Sequence, residues 1–223
     1  MNNSDKTYPR LIQTEEGLAL TDGLTTLRSD FGQMIARLAP NKIAKELVVC
    51  AAKGKQSIAY PGQLWAIDAT AGLGEDGLLL AAAGYRVTMY ERNKTVAAML
   101  SDALDKARNA KEYPWLCDAA SRIEVRCEDS IVAMKELDAS PDVIMLDPMF
   151  PERQKSAEVK KKFQMLHKIM GPCDDEEALL ESTMAARPKK IVIKRTLKGP
   201  FLADVKPTYS IKGKAIRYDC IVL

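Results

Sequence analysis

The chain has 223 residues, 47% hydrophobic and 28% charged, with a net charge of +3. That size and balance allow one full core, read as a small N-terminal extension or subdomain over 1–60 and a larger domain over 61–223. No apolar run approaches the roughly 20 residues that cross a bilayer, and the start Met1-Asn-Asn-Ser-Asp-Lys-Thr-Tyr-Pro-Arg10 lacks the basic-then-apolar pattern of a signal peptide, so a cytoplasmic protein with no membrane partner is expected. The five cysteines (Cys50, Cys117, Cys127, Cys173, Cys220) form no C-x-x-C pair and His167 is the only histidine, so neither disulfides nor a metal site is expected.

Residues 1–15 are expected to be loose. The first clear element is a strand over 64–68, which ends on Asp68 and runs into the glycine turn Gly72-Leu-Gly74-Glu-Asp-Gly77 and a helix over 76–83. A strand over 86–90 ends before Glu91 and Arg92, and a helix follows over 94–109. A third strand, 123–126, precedes Asp129 and Ser130 and a helix over 131–137. The strand over 143–146 runs straight into Asp147-Pro148-Met149-Phe150-Pro151. Helices over 157–170 and 176–186 are separated by the Gly171-Pro172 break, and a strand over 191–194 follows. The last two strands, 209–212 and 218–223, have only a turn between them. Strands alternating with helices imply a mostly parallel α/β sheet covered on both faces, closed by an antiparallel hairpin.

In such a sheet, ligands collect beyond the carboxyl ends of the strands. Asp68, Glu91, Asp129 and Asp147 all fall at or just after strand ends, so four carboxylates converge there. Gly72, Gly74 and Gly77 also satisfy G-x-G-x-x-G, a dinucleotide fingerprint that alone is weak. Asp68, Glu75 and Asp76 crowd negative charge at the helix start, where a pyrophosphate would need uncontested backbone amides. A cationic ligand suits them better. S-adenosylmethionine carries a sulfonium and an ammonium, needs the close backbone approach that glycine permits, and offers a ribose diol that Glu91 can grip. At the second loop, Asp147 can accept a hydrogen bond from a flat amine, Pro148 fixes the turn, and Phe150 offers a face for a base to stack on.

The stretches Asp68-Ala-Thr-Ala-Gly-Leu-Gly74, Glu91-Arg-Asn93, Leu146-Asp-Pro-Met-Phe-Pro151, Lys155-Ser-Ala157, Val192-Ile-Lys-Arg195 and Lys212-Gly-Lys-Ala-Ile-Arg-Tyr-Asp219 together resemble the RsmJ family. These are bacterial methyltransferases that act on a guanine N2 of small-subunit (16S) ribosomal RNA. The resemblance runs from about Leu18 to the C-terminus and is strongest over 66–95 and 142–162. Met149 stands where the usual motif has a second proline, and Glu75 where many relatives are basic. The resemblance implies a Rossmann-like class I S-adenosylmethionine-dependent methyltransferase fold with seven strands. It also assigns Gly72, Gly74, Glu75 and Asp76 to the methionine end of the cofactor, with Asp68 beside them. Glu91 and Arg92 fall to the ribose, Asp129 and Ser130 to adenine, and Asp147 to both cofactor and substrate. Asp147, Pro148 and Phe150 are the catalytic candidates.

Between Arg187 and Arg217 stand ten Lys or Arg against one acid, Asp204, and Lys155, Lys160, Lys161 and Lys162 form a second basic cluster. Two clusters flanking one loop point to a phosphate backbone, with Lys155, Lys160, Lys161, Lys162, Lys194 and Arg195 as RNA contacts and ribosomal RNA or the small ribosomal subunit as partner. Three other readings stay open. They are a methyltransferase for a small molecule or protein, a nicotinamide-dependent oxidoreductase, and a non-catalytic nucleotide-binding module.

Overall fold

The computed structural model describes residues 8–54, 62–148, 157–171 and 175–223. In chain order the strands are β1 (Arg10–Thr14), β2 (Gly17–Thr21), β3 (Thr26–Leu27), β4 (Trp65–Asp68), β5 (Arg86–Tyr90), β6 (Ile123–Arg126), β7 (Val143–Leu146), β8 (Lys190–Thr196), β9 (Tyr209–Lys212) and β10 (Ile216–Val222). The helices are α1 (Ile35–Leu38), α2 (Leu47–Lys53), α3 (Glu75–Ala82), α4 (Lys94–Asn109), α5 (Pro114–Ser121), α6 (Ser130–Ala133), α7 (Ala157–Met170) and α8 (Glu176–Ala185).

Seven strands form the main sheet in the order β6-β5-β4-β7-β8-β10-β9. Pairings from β6 through β8 are parallel, and β10 is antiparallel to both β8 and β9. The expected hairpin is therefore present, with β10 inserted between β8 and its own partner. β4 and β7 are buried almost throughout, as parallel strands covered on both faces must be, which explains the unbroken apolar runs Ala66-Ile67 and Val143-Ile-Met-Leu146. Chain order reverses at β4: β5 and β6 extend to one side, and the chain then returns to lay β7 on the other. A crevice opens at the carboxyl ends of those two central strands. At the opposite end Asp142 pins them together, accepting from the Trp65 amide at 2.7 Å and from Lys189 Nζ at 2.6 Å.

α4 follows from its sequence directly. Asn93 caps it by accepting from the Thr95 and Val96 amides, and Val96, Met99, Leu100, Ala103, Leu104 and Ala107 form one buried stripe at helical spacing. α3 begins after Gly74, whose φ of +83° is left-handed. Gly77 is needed for packing, since a Cβ there would sit 2.4 Å from Met89 Cε and 3.0 Å from Asp68 Oδ2.

The N-terminal part departs most from expectation. Residues 10–14 are not loose: β1 pairs with β2 along its length, and β2 pairs with β3. This small sheet packs on α4 and α7, where Leu20 and Leu27 share a core with Val96, Met99 and Met165. Phe31, Met34, Leu38, Val48 and Val49 enter the same core as α3 and α4. The segment before Trp65 thus buries its apolar groups against the sheet-and-helix layers. α2 and α5 are further additions to the expected elements, too short at eight residues or fewer to show a helical period; α5 starts with Pro114 at a first-turn position, where its missing N–H costs nothing.

Gly77→Ala should destabilise the fold by roughly 1–3 kcal/mol, because Met89 and the buried Asp68 would have to shift to admit a methyl group. Urea unfolding read by circular dichroism checks this. A loss under 0.5 kcal/mol, on the order of an ordinary surface substitution, would show that the helix-to-strand approach is not tight.

Candidate active site

A cavity of about 330 Å³ lies at the carboxyl ends of β4, β5, β6 and β7. Asp68, Gly72, Gly74, Glu75, Asp76, Glu91, Arg92, Asp129, Ser130, Asp147 and Pro148, all singled out from sequence, line it. Phe150 and Lys155 lie outside the described residues, as do the side chains of Lys160, Lys161 and Lys162 on α7. The cavity wall also includes Thr70, Tyr90, Leu166, Met170, Asp175, Leu179 and Lys194. Among the described residues no group of three metal-ligating side chains occurs. Nor is any described helix long and apolar enough to cross a membrane.

Glu91 is buried at the end of β5. Its Oε2 accepts from the Gly72 amide at 3.0 Å and its Oε1 from the Asn93 amide at 2.7 Å. A carboxylate has about four lone-pair positions, so acceptor capacity remains for a diol. Burial raises the Glu91 carboxyl above its ordinary range, and the two amides oppose that. Asp129 caps α6 through the Ile131 amide at 2.9 Å, and Ser130 is buried beside it. Arg92 reaches across the cavity to Asp175, Nη1 to Oδ2 2.6 Å, joining the start of α4 to the start of α8. α7 closes this side with Leu166 and Met170, and is tied down where Asn93 Nδ2 donates to the Ile169 carbonyl at 2.7 Å.

The glycine loop divides its work differently from the expectation. A Cβ on Gly72 would meet nothing closer than the Thr70 carbonyl oxygen at 3.9 Å, so the backbone there is open to a ligand. On Gly74 a Cβ would strike Leu100 Cδ1 at 2.4 Å and Phe31 Cζ at 3.1 Å, so this glycine faces the core while its backbone borders the cavity. Glu75 is mostly exposed and faces Arg37, with 3.6 Å between Nη1 and Oε2. Arg37 carries no motif that would have marked it.

Charge concentrates on the other side. Asp68 is buried, and burial first, then the Asp76 and Asp147 charges, push its carboxyl up to about 7. Lys194 Nζ lies 2.8 Å from Asp76 Oδ2 and 2.9 Å from Asp147 Oδ2. Burial pulls its ammonium down, but the two carboxylates outweigh this and hold it well above its ordinary value. Tyr218 on β10 donates to Asp76 Oδ1 at 3.0 Å. Register creates the cluster. Leu146 pairs with Ile193 and Lys194 pairs with Tyr218, so one step past β7 the chain sets Asp147 beside Lys194.

Two of the expected RNA contacts lie away from an open basic surface. Lys194 spends its charge inside the cavity. The Arg195 side chain is 1% exposed, faces Glu176, and donates to the Pro200 carbonyl at 2.9 Å, so no phosphate reaches it. Of the ten basic residues from Arg187 to Arg217, three more serve the fold: Lys189 binds Asp142, Lys190 caps the carbonyls of Ala51 and Ala52, and Arg217 holds Asp219 and the 196–199 turn.

This sheet order, with a strand-end cavity lined by carboxylates and a glycine loop, defines a class I S-adenosylmethionine-dependent methyltransferase. A family model described as "Putative SAM-dependent methyltransferase" matches residues 1–223. A solved SAM-dependent methyltransferase from Neisseria gonorrhoeae is similar with a TM-score of 0.75 and 28% identity, covering 100% of this chain and 86% of that one. Ribosomal RNA small subunit methyltransferase J of Neisseria meningitidis serogroup C is 39% identical over 193 residues, 85% of this chain and 74% of that protein. The enzyme of the same name from Pseudoalteromonas atlantica is 39% identical over 160 residues, 70% of this chain but only 62% of that protein, so this chain spans less than two thirds of that relative's length. The chain belongs to this RsmJ family of S-adenosylmethionine-dependent methyltransferases. The donor set fits the cofactor: Glu91 keeps acceptor capacity for a diol, Gly72 leaves room for close approach, and the Asp68 side of the cavity is acidic, as a cationic methionine end requires.

Asp68 reverses the usual carboxylate linkage. Its folded value, about 7, lies above the ordinary 3.8, so the folded state holds a proton that the unfolded chain has lost between those values. Its contribution to stability is present in full below 3.8 and is lost as pH rises through 7. Asp68→Asn should therefore gain on the parent chain by on the order of 3 kcal/mol between pH 4 and pH 8. Urea unfolding across that range checks it. Parallel pH profiles for the two proteins would mean that Asp68 titrates normally.

Proposed function

We propose that this chain transfers a methyl group from S-adenosylmethionine to the N2 amine of a guanine in small-subunit ribosomal RNA, acting in the cytoplasm. The observation that carries this reading is the position of Asp147. It follows β7 directly, borders the cofactor-sized cavity, and is fixed through its amide, which donates to Thr70 Oγ1 at 2.6 Å, and through its carboxylate on Lys194. The names of the relatives support the ribosomal RNA substrate.

The bound cofactor supplies an electrophilic methyl group on a sulfonium. Around it, Asp68, Gly72, Gly74, Glu75 and Asp76 hold the methionine end, Glu91 and Arg92 the ribose, and Asp129 and Ser130 the adenine. Guanine N2 delocalises its lone pair into the ring and is a poor nucleophile, so the site must hold it in line and accept its hydrogens as charge develops. Asp147 accepts a hydrogen bond from one N2 hydrogen and the Pro148 carbonyl accepts one from the other. Phe150 stacks on the unpaired or flipped base, which holds it for about 1–3 kcal/mol. Lys155, Lys160, Lys161 and Lys162 meet the RNA phosphates.

The test is transfer of labelled methyl to ribosomal RNA and to small subunits from cells lacking the protein, followed by nucleoside analysis. N2-methylguanosine is the expected product. Label appearing only on protein or a small molecule overturns the substrate class.

Asp147→Ala should slow single-turnover methylation by about 10²-fold or more at saturating cofactor and RNA, conditions that mask a pure binding loss. Near-normal turnover with the product still on N2 makes this carboxylate structural. Neutralising Lys160, Lys161 and Lys162 together should weaken RNA binding and reduce its logarithmic salt slope by about 0.7–0.9 for each phosphate no longer neutralised, with cofactor affinity intact. An unchanged slope assigns the three lysines to a solvated helix face.

A further inference from the structure

Lys194 has a role that phosphate binding does not describe. Its ammonium sits between two carboxylates from different elements, Asp76 in the first turn of α3 and Asp147 just beyond β7. Asp76 is itself held from the far side by the Tyr218 hydroxyl. The Lys194 side chain is 27% exposed, Asp76 11% and Asp147 39%, so the bridge runs from the inner wall of the cavity to its mouth. An ion pair in that setting is screened far less than one on an open surface. Two ionised carboxylates brought this close without a cation would repel, and one would take up a proton.

We propose that Lys194 is a positioning residue for methyl transfer: by bridging Asp76 and Asp147 it aims the Asp147 carboxylate at the cavity mouth and keeps it ionised for the incoming amine. The inference rests on the functional reading above. In the step it serves, a bond forms between guanine N2 and the methyl carbon, and the bond from sulfur to that carbon breaks with its electron pair passing to sulfur. The N2–H bond returns its pair to nitrogen, and the proton ends on an Asp147 oxygen, from which the exposed edge of that side chain releases it to water. Lys194 lowers the proton affinity of Asp147, which by itself weakens a base. The methylated, ring-conjugated nitrogen is strongly acidic until it loses its proton, so a correctly aimed carboxylate that is always ionised outweighs a more basic one that is often protonated.

The groups facing Asp147 and Lys194 set the direction of the pH effect. Among the described residues they include Asp68 from β4, Asp76 from α3 and, through Asp76, Tyr218 from β10. The Asp68 and Asp76 carboxyls, when charged, disfavour an ionised Asp147, whereas Tyr218 stays neutral and acts by donating to Asp76; Lys194 offsets the two carboxyls. Without it, the folded value of Asp147 rises, and a reaction that needs the carboxylate loses its acidic range.

The test is carbon-13 NMR titration of the aspartate carboxyls in the ligand-free full chain, with the Asp147 signal identified by its loss in Asp147→Asn. In Lys194→Met the Asp147 midpoint should rise by about 1–3 pH units, and Lys194→Arg should restore it. The acid limb of single-turnover methylation should move up with it, and the rate near neutral pH should fall about 10- to 100-fold at saturating cofactor and RNA. An unmoved Asp147 midpoint in folded Lys194→Met overturns the proposal, and so does an unmoved acid limb. If Lys194→Met does not fold, Lys194→Gln, which removes the charge but keeps a donor, is read in the same way. Should the parent chain methylate no ribosomal RNA, the functional reading fails, while the carboxyl titration still decides whether Lys194 governs Asp147.

Discussion

Negative charge crowded at the carboxyl ends of two adjacent parallel strands is the condition to which the rest of this molecule answers. Asp68, Asp76 and Asp147 all border one partly buried cavity, an arrangement that a low-dielectric interior opposes. The fold relieves it in two ways. Asp68 is pushed toward its neutral form, and Asp76 and Asp147 share Lys194. What remains is an acidic pocket, which suits the positive charge of S-adenosylmethionine better than a dinucleotide pyrophosphate.

The glycine loop and the turn that carries Asp147 are mechanically joined. Thr70 sits in the glycine loop, yet its hydroxyl accepts from the Asp147 amide; Asp76 starts the helix after that loop, yet it holds Lys194, which holds Asp147. A displacement of the loop is therefore felt at the Asp147 carboxylate. On the opposite wall, α7 packs against the N-terminal sheet through Met165 and is tied to the cap of α4 through Asn93. The same helix carries Lys160, Lys161 and Lys162, so the N-terminal sheet braces the element proposed to meet RNA.

Basic residues illustrate how composition misleads. The run from Arg187 to Arg217 looks like a nucleic-acid surface when counted along the chain. In space, Lys190 closes the end of α2, Arg217 gathers the 196–199 turn onto Asp219, and Arg195 faces Glu176 beneath the surface. Arg187, Lys198, Lys206, Lys212 and Lys214 are left exposed. A guanidinium or ammonium satisfies buried carbonyls as readily as phosphates, and only the surroundings of each one tell the two uses apart.

The sequence alone determined the alternating architecture, the terminal hairpin and the gathering of acids at the strand ends, because each rests on local rules. Buried parallel strands need unbroken apolar runs such as Val143-Ile-Met-Leu146, strand ends are where ligands gather, and Gly72 to Gly77 marks a tight turn into a helix. Residues matched to the family motif, from Asp68 to Asp147, accordingly line the cavity. Tertiary structure alone decided which glycine faces open cavity space and which faces Leu100 and Phe31, since both carry the same letter and both have positive φ. It also decided that Lys194 belongs to the site and Arg195, one residue on, does not. Successive residues of a strand point to opposite faces, so a single step along β8 separates the cavity from the packed side of the sheet, and only the register with β7 and β10 fixes which residue is which.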